Sequence, residues 1–446
     1  MIKRILGALS AALLLIVGFT TPAQAAPVER AYEAININAA WSKNILGQGV
    51  TIAMIDQGVN LQHEYFDGQV VDGICVYQSN NSALCPNGTK FQTGILAASQ
   101  RRDIFGRLFT DETHGNMVAG IVAGKPNSVA PGGIAPQAKI VMANTDMQPN
   151  SVVQALEFFY QNREKYNIVA VSMSFGILGL TSRQDLLNCN TNPVYAQVRA
   201  SLKKLRDVGV IPFAAAGNGF YLNSVESWAP TCLDEAVSVG SVDENGQISI
   251  YNTMSTKVEL LAPDYAISAA TFGYAQASGT SAAAPTAAAS YALLRQQFPK
   301  HSAQTVLDAM KISGKKIDDV VRKQIPMVDI AAAQKLLENT PVGANPVDPT
   351  PNPNPVTNQK VTVGTFNGFI AIYAQGFEGS QLMARIAGKW ISVSPLKNVA
   401  GKQYALIKRN TGAGYDVRVE VWIDVVKQNL IAAGQNAGQV LVVRTR

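Results

Sequence analysis

Histidine and cysteine are scarce in this chain, whose 446 residues include three histidines and four cysteines. No spacing among them resembles a zinc site, in which four such ligands come from short clusters. After residue 25, no apolar run is long enough to cross a bilayer. These absences argue against a zinc protein and an integral membrane protein, and we assign no metal ligand.

The first 25 residues have the pattern of a secretory signal peptide. Lys3 and Arg4 precede an apolar stretch at residues 5–19, and a small-x-small cleavage motif follows at residues 23–25. The even number of cysteines suits an oxidising compartment, where disulfides persist. The sequence therefore predicts a secreted or periplasmic protein.

A proline-rich stretch at residues 340–358 divides the chain. Such a stretch cannot form a helix or a central strand, and it is typical of a semi-rigid linker. Upstream, in residues 26–339, predicted strands alternate with predicted helices, which indicates an α/β fold with a mostly parallel sheet and helices on both faces. Downstream, residues 359–446 contain short predicted strands between glycine-containing turns, which predicts a small all-β C-terminal domain.

The tail from residue 358 is basic, with eleven lysines and arginines against four aspartates and glutamates. Residues 26–357 are slightly acidic, with 24 basic and 27 acidic side chains. A basic module can hold a protein on an anionic surface such as a cell envelope, by an attraction that salt weakens. Solubility alone is the other explanation of the charge. The basic residues are scattered without a nucleic-acid-binding signature, so we expect no nucleic-acid partner.

Three short segments contain the side chains of a nucleophilic hydrolase. They are Ile-Asp-Gln-Gly with Asp56, His-Gly-Asn-Met-Val-Ala-Gly beginning at His114, and Ser-Gly-Thr-Ser-Ala-Ala-Ala-Pro with Ser281. A serine hydroxyl is a weak nucleophile that needs an imidazole to take its proton, and a buried carboxylate fixes the tautomer of that imidazole. Each segment alone is more often structural than catalytic. Together, in the order Asp, His, Ser, they indicate a hydrolase.

Each of the three residues is expected at the end of a secondary-structure element. The apolar residues 50–55 predict a buried strand that places Asp56 at its C-terminal end, where open α/β sheets bind their ligands. His114 precedes a predicted helix. Ser281 opens a helix of small residues, 282–297, whose N terminus favours negative charge.

With these motifs in this order, the chain resembles the subtilisin-like serine proteases, the subtilase family. The resemblance implies an endopeptidase that cleaves protein or peptide substrates through an acyl-enzyme, with Asp56 orienting His114 and Ser281 as nucleophile. It implies no cofactor for the chemistry and allows a structural calcium ion, whose ligands the sequence does not identify. We expect a monomer. The alternative is a catalytically weak or inactive subtilase fold that serves as a binding or surface-attachment protein.

The resemblance also assigns residues around the reaction centre. Asn218 follows a predicted buried strand at 210–216 and would bind the oxyanion together with the backbone N–H of Ser281. Residues 171–176 resemble the strand to which an extended substrate adds. Small residues at 214–217 fit a substrate pocket and a tightly packed strand end about equally. The substrate-binding residues expected from these segments are Ser174, Phe175, Gly176, Ala215, Ala216 and Gly217.

The four cysteines allow three pairings. We favour Cys75 with Cys85, which closes a local loop after the Asp56 strand, and Cys189 with Cys232, which ties two loops beside the expected pocket. Free buried thiols are the alternative.

The chain departs from the family pattern in several places. Gln57 stands where the family usually has a residue with a hydroxyl, and this difference changes the hydrogen bonding available to Asp56. Met117 and Thr286 stand where the family often has histidine. Only about fifteen residues separate the cleavage motif from the first catalytic elements, too few for the propeptide domain of most exported relatives.

Two histidines and one short segment are assigned structural positions. His63 and His301 are expected in turns or on the surface. Ser302 is the predicted N-cap of a helix over 303–311. Residues 27–40 are expected to pack along the surface of the catalytic region.

Overall fold

The computed structural model describes residues 30–347 except 79–83, 102–106, 108–111, 178–188, 220–227, 251, 254–256 and 319–323, and beyond residue 347 it describes strands between residues 360 and 445. The predicted signal peptide and most of the predicted linker lie outside the described residues. The division of the chain into these domains stays a prediction.

A ten-stranded sheet forms the centre of residues 30–347, in the order β11-β12-β8-β7-β6-β5-β1-β4-β2-β3. Its strands are β1 Thr51–Asp56, β2 Val70–Val76, β3 Phe91–Thr93, β4 Lys139–Thr145, β5 Ile168–Met173, β6 Ile211–Ala215, β7 Val237–Val242, β8 Val258–Pro263, β11 Lys315–Ile317 and β12 Ile325–Met327. A separate hairpin consists of β9 Ala266–Ala269 and β10 Tyr274–Ala277. Within the ten-stranded sheet, all strand pairs are parallel except those that the edge strands β3 and β11 form. The predicted α/β fold with a mostly parallel sheet is confirmed.

Helices pack against this sheet through the alternating side chains of its strands. The helices are α1 Arg30–Ala34, α2 Asn38–Trp41, α3 His114–Ala123, α4 Pro149–Tyr166, α5 Ala196–Asp207, α6 Thr280–Gln297, α7 Ala303–Ser313 and α8 Ile330–Glu338. In β1, Ile52 and Met54 share one core with residues of α3 and α6. Ala53 and Ile55, which alternate with them, share the other core with residues of α4 and α5. Among the described residues, no helix combines the length and the apolar character that spanning a bilayer requires.

The strand order places the C-terminal ends of β1 and β5 side by side, at a position where a ligand-binding site can form. From β5 the chain continues outward through β6, β7 and β8, whereas β1 connects to the opposite side of the sheet. The crevice at such a reversal is where open parallel sheets bind ligands. Asp56 ends β1 and Ser174 directly follows β5, so both lie at this reversal.

Residues 30–40, the described part of the segment expected to pack along the catalytic region, place their apolar side chains in its core and leave other residues exposed. Ile35 and Ile37 are completely buried. The backbone N–H of Ile330 donates a hydrogen bond of 2.9 Å to the carbonyl oxygen of Ile35. The isoleucines of this short segment therefore contribute to the main core beside α3 and α6.

Beyond residue 347, every described element is a strand. These strands are Lys360–Phe366, Phe369–Gln375, Leu382–Ile386, Lys389–Ser392, Lys397–Val399, Lys402–Lys408, Glu420–Ile423, Gln435–Asn436, Gln439–Val440 and Val442–Thr445. The prediction that this region folds as an all-β domain is taken up below as a proposal.

Candidate active site

Asp56 and His114 are joined by a hydrogen bond at the C-terminal edge of the sheet. Asp56 is 1% exposed, and its Oδ1 accepts hydrogen bonds of 2.8 Å from the backbone N–H of Gln57 and from Nδ1 of His114. The negative charge of Asp56 raises the pKa of His114 above its ordinary value, because it stabilises the imidazolium. With Nδ1 donating to Asp56, Nε2 is the basic nitrogen of the neutral ring.

Gln57 pairs with Asp56 through its backbone N–H, a donor that does not depend on the glutamine side chain. Among the described residues, neither Oδ2 of Asp56 nor Oε1 of Gln57 has a hydrogen-bond partner, although both atoms are buried.

Ser281 is fixed at the start of α6 by two hydrogen bonds with Ser174. Pro285, four residues later, has no backbone N–H, so the carbonyl oxygen of Ser281 lacks its usual helical donor. Oγ of Ser174 donates to that carbonyl oxygen over 2.9 Å. In return, Oγ of Ser281 donates to the carbonyl oxygen of Ser174 over 3.3 Å. Because Pro285 leaves this carbonyl oxygen without a helical donor, the oxygen can bind Ser174, and this bond joins the start of α6 to the end of β5.

Asn218 lies beside the same helix start. Its Oδ1 accepts hydrogen bonds from the backbone N–H of Thr280 at 3.0 Å and from the Thr280 hydroxyl at 2.9 Å. With Oδ1 engaged, the two donors of Nδ2 point to the other side of the amide. A Cβ added at Gly279 would lie 2.9 Å from Nδ2, and the φ of Gly279 is +91°, so the approach requires glycine.

A cavity of about 340 Å³ opens beside Ser281. It brings together the six residues predicted to bind substrate, with Asn218 and Ser281. Sequence reasoning missed three further residues of its wall, because no motif marks them. The complete wall consists of Ser174, Phe175, Gly176, Ala215, Ala216, Gly217, Asn218, Trp228, Thr231, Thr280 and Ser281. None of these described wall residues carries a charge.

Two disulfides are present, and they join Cys75 to Cys85 and Cys189 to Cys232 as predicted. The second bond lies next to the cavity, because Thr231 of the cavity wall precedes Cys232. Both of its sulfur-bearing residues are buried. This disulfide therefore anchors one wall of the cavity to a distant part of the chain.

The other two histidines, predicted in turns or on the surface, lie at bends of the chain and are buried there. His63 does lie in a turn, where its Nδ1 accepts from the N–H of Tyr65 at 3.1 Å and its Nε2 donates to the carbonyl oxygen of Gly273 at 2.7 Å. His301 is equally buried, and Ser302 after it caps α7 as predicted. Each ring also contacts an aromatic neighbour, His63 with Tyr274 and His301 with Phe298.

The Asp56–His114 pair lies at the C-terminal edge of a parallel sheet, and Ser281, Asn218 and an uncharged cavity lie at the same edge beside the end of β5. Residues 47–325 match the family model described as "Subtilase family". This range covers more than half of the chain and contains Asp56, His114 and Ser281. The chain belongs to the subtilase family.

Individual relatives resemble parts of the chain. It is 28% identical over 288 residues to the minor extracellular protease Epr of Bacillus subtilis (strain 168), a match covering 63% of this chain and 37% of that relative. It is 26% identical over 279 residues to an intracellular serine protease of Paenibacillus polymyxa, covering 60% and 73%. A solved protease structure from Pseudoalteromonas arctica PAMC 21717 shares the fold, with a TM-score of 0.53 and 19% identity, covering 68% of this chain and 94% of that chain. The chain spans little more than a third of the Bacillus relative.

Proposed function

We propose that this chain is an exported serine endopeptidase that hydrolyses peptide bonds through an acyl-enzyme. The observation that carries the proposal is the Asp56–His114 hydrogen bond at the same sheet edge as Ser281 and its cavity. Neutral His114 takes the proton of Ser281 while Oγ attacks the scissile carbonyl carbon. Asp56 stabilises the imidazolium that results.

Proton transfer requires a change of hydrogen-bond acceptor. Oγ of Ser281 donates to the carbonyl oxygen of Ser174, and it must donate to Nε2 of His114 before transfer. A hydroxyl hydrogen rotates to suit its acceptor. The imidazolium then gives this proton to the leaving amine. In the second half-reaction His114 takes a proton from the water that attacks the acyl-enzyme and gives it to Oγ of Ser281 as the acyl–oxygen bond breaks.

Two donors are positioned to stabilise the tetrahedral intermediate. The amide of Asn218 has its oxygen engaged by Thr280, which presents Nδ2 as a donor. The backbone N–H of Ser281 lies in the first turn of α6, where N–H groups have no partner within the helix. We propose that these two groups bind the oxyanion, a role that requires donors placed before charge develops.

The cavity supports a preference for large apolar residues immediately before the scissile bond. Its described wall is uncharged and includes Phe175 and Trp228. We expect peptides with phenylalanine or leucine at this position to be cleaved with kcat/KM about tenfold or more above those with lysine or aspartate, because the uncharged wall cannot pair a buried charge.

A panel of peptides that differ only at this position measures the preference, with release of a fluorescent leaving group as the signal. Equal kcat/KM for phenylalanine and lysine peptides would contradict the apolar pocket. Failure to cleave any peptide, by a protein whose thermal unfolding is cooperative, would contradict the protease proposal itself.

Export is supported by the N-terminal sequence pattern and by the two disulfides, which persist in oxidising compartments. We propose that the protein is secreted or periplasmic. The names of its relatives include extracellular and intracellular proteases, so family membership alone does not decide the compartment.

We propose that residues 359–446 form a basic all-β domain that holds the enzyme on an anionic envelope surface. Eleven basic against four acidic residues in this tail supply the charge. Removing residues 340–446 should leave the hydrolysis of a short peptide nearly unchanged and should reduce retention on anionic envelope material, more at low than at high salt, because salt screens exposed charges.

Retention is measured by co-sedimentation of active protein with cell-envelope preparations over a range of salt concentrations. A control variant replaces basic tail residues by glutamine and keeps the chain length. Equal retention of the truncated and full-length proteins would contradict the attachment role and leave solubility as the function of the charge.

A further inference from the structure

The loop that carries Asn218 is held from behind by Thr253. The backbone N–H of Thr253 donates to the carbonyl oxygen of Gly217 over 3.0 Å. Oγ1 of Thr253 accepts a hydrogen bond of 3.1 Å from the backbone N–H of Gly219. A single residue therefore binds the backbone on both sides of Asn218.

Thr253 acts from outside the cavity. It is 3% exposed and is absent from the described cavity wall, so it does not contact a substrate bound there. The loop approaches it closely, because a Cβ added at Gly217 would lie 2.9 Å from Oγ1 of Thr253. Gly217 also has a φ of +103°, which side chains rarely adopt. The lack of a side chain at Gly217 and the position of the Thr253 hydroxyl therefore both fit the same conformation of the loop.

Thr280 holds the same loop from the cavity side. Its Oγ1 accepts from the backbone N–H of Gly217 at 3.1 Å and donates to Oδ1 of Asn218 at 2.9 Å. The two threonines hold different parts of the loop. Thr280 fixes the amide of Asn218, and Thr253 fixes the backbone from which that amide extends.

We propose that Thr253 is a positioning residue for the oxyanion donor Asn218, an inference that rests on the proposed protease function. The amide is needed most when negative charge develops on the substrate, so a misplaced amide weakens binding of the transition state more than binding of the substrate. Loss of the Thr253 hydroxyl frees Gly219 and lets the loop shift. The cost should therefore appear in kcat, with KM nearly unchanged.

Thr253→Val tests this role because valine keeps the branched shape and removes the acceptor. We expect kcat to fall about tenfold with little change in KM, since small misplacements of catalytic groups are costly. Thr253→Ser, which keeps the hydroxyl, should retain most of the activity. Thr253→Ala removes the same acceptor with less bulk and serves if the valine variant does not fold.

Thr51→Val is the matched control. Thr51 is also buried, and its hydroxyl donates to the carbonyl oxygen of Tyr166 over 2.5 Å at the start of β1, at the far end of that strand from Asp56. This variant should lose stability without losing kcat. An equal fall of kcat in Thr51→Val would overturn the positioning role.

A double-mutant cycle with Asn218→Ala decides whether Thr253 acts through Asn218. Loss of the corresponding asparagine in subtilisin costs about a hundredfold to a thousandfold in kcat. If Thr253 acts only through this donor, Thr253→Val should cause no further loss in the Asn218→Ala background. Independent, multiplying losses would overturn the inference. If the wild type is active and Asn218→Ala is slow, a normal kcat in Thr253→Val would overturn this inference alone. If the wild type is folded but inactive, the protease proposal and this inference would both be overturned.

Discussion

Ser281→Ala should abolish peptide hydrolysis and remove the site at which a fluorophosphonate probe labels the protein. The expected decrease in kcat is about 2 × 10⁶-fold, the loss measured when the corresponding serine of subtilisin is replaced. The loss is large because no other group can form the acyl-enzyme, and the oxyanion donors then act only on attack by water. Peptide mapping of the labelled wild type should locate the probe on Ser281.

Ser290→Ala provides the control on the same helix. Ser290 is completely buried in α6, and its hydroxyl donates to the carbonyl oxygen of Thr286 over 2.7 Å. Its replacement should leave labelling and hydrolysis nearly intact. Labelling that survives in Ser281→Ala would place the nucleophile elsewhere. A folded wild type that takes no label would favour the alternative of an inactive subtilase fold that acts in binding.

Asp56→Asn should lower kcat about ten-thousandfold, the effect of the same change in another serine protease triad. Asparagine lacks the negative charge, and its side-chain N–H can donate a hydrogen bond to Nδ1 of His114, which favours the wrong imidazole tautomer. The pH dependence should also change. In the wild type, kcat/KM falls as the pH drops through the raised pKa of His114, because only the neutral ring accepts the serine proton.

Without the Asp56 charge, the imidazolium loses its main stabilisation and the pKa of His114 falls. The acid limb of the pH profile should therefore move to lower pH in Asp56→Asn. Kinetics from acidic to neutral pH and NMR titration of His114 measure the two effects separately. Asp67→Asn removes an exposed carboxylate that pairs with Lys125 and should leave the acid limb in place. An unmoved limb in Asp56→Asn would contradict the assigned pair.

The positions of Asp56, His114 and Ser281 in the fold could be predicted because each signal is local. An apolar β-branched run ends at Asp56, and helix-forming runs begin near His114 and Ser281. Chain order and the sheet then bring these ends together. The hydrogen bonds around Asn218 could not be predicted in this way, since Thr253 binds its loop through backbone groups and a common hydroxyl.

The burial of His63 and of the first segment depends on residues far along the chain. His63 stands among polar residues in the sequence, but its partner Gly273 belongs to the β9–β10 hairpin. Ile35 and Ile37 lie in a short segment before the first strand, yet they are part of the main core. Burial of a short segment depends on distant surfaces that its own pattern does not describe.

That buried segment also links the fold to the order in which the chain is made. Residues 30–41 are synthesised early, yet α2 contacts α8, and Ile35 accepts its hydrogen bond from Ile330, which is synthesised late. This part of the core therefore closes only when segments from both ends of the catalytic region are present, and a chain that ends before residue 330 lacks the N–H group that binds Ile35.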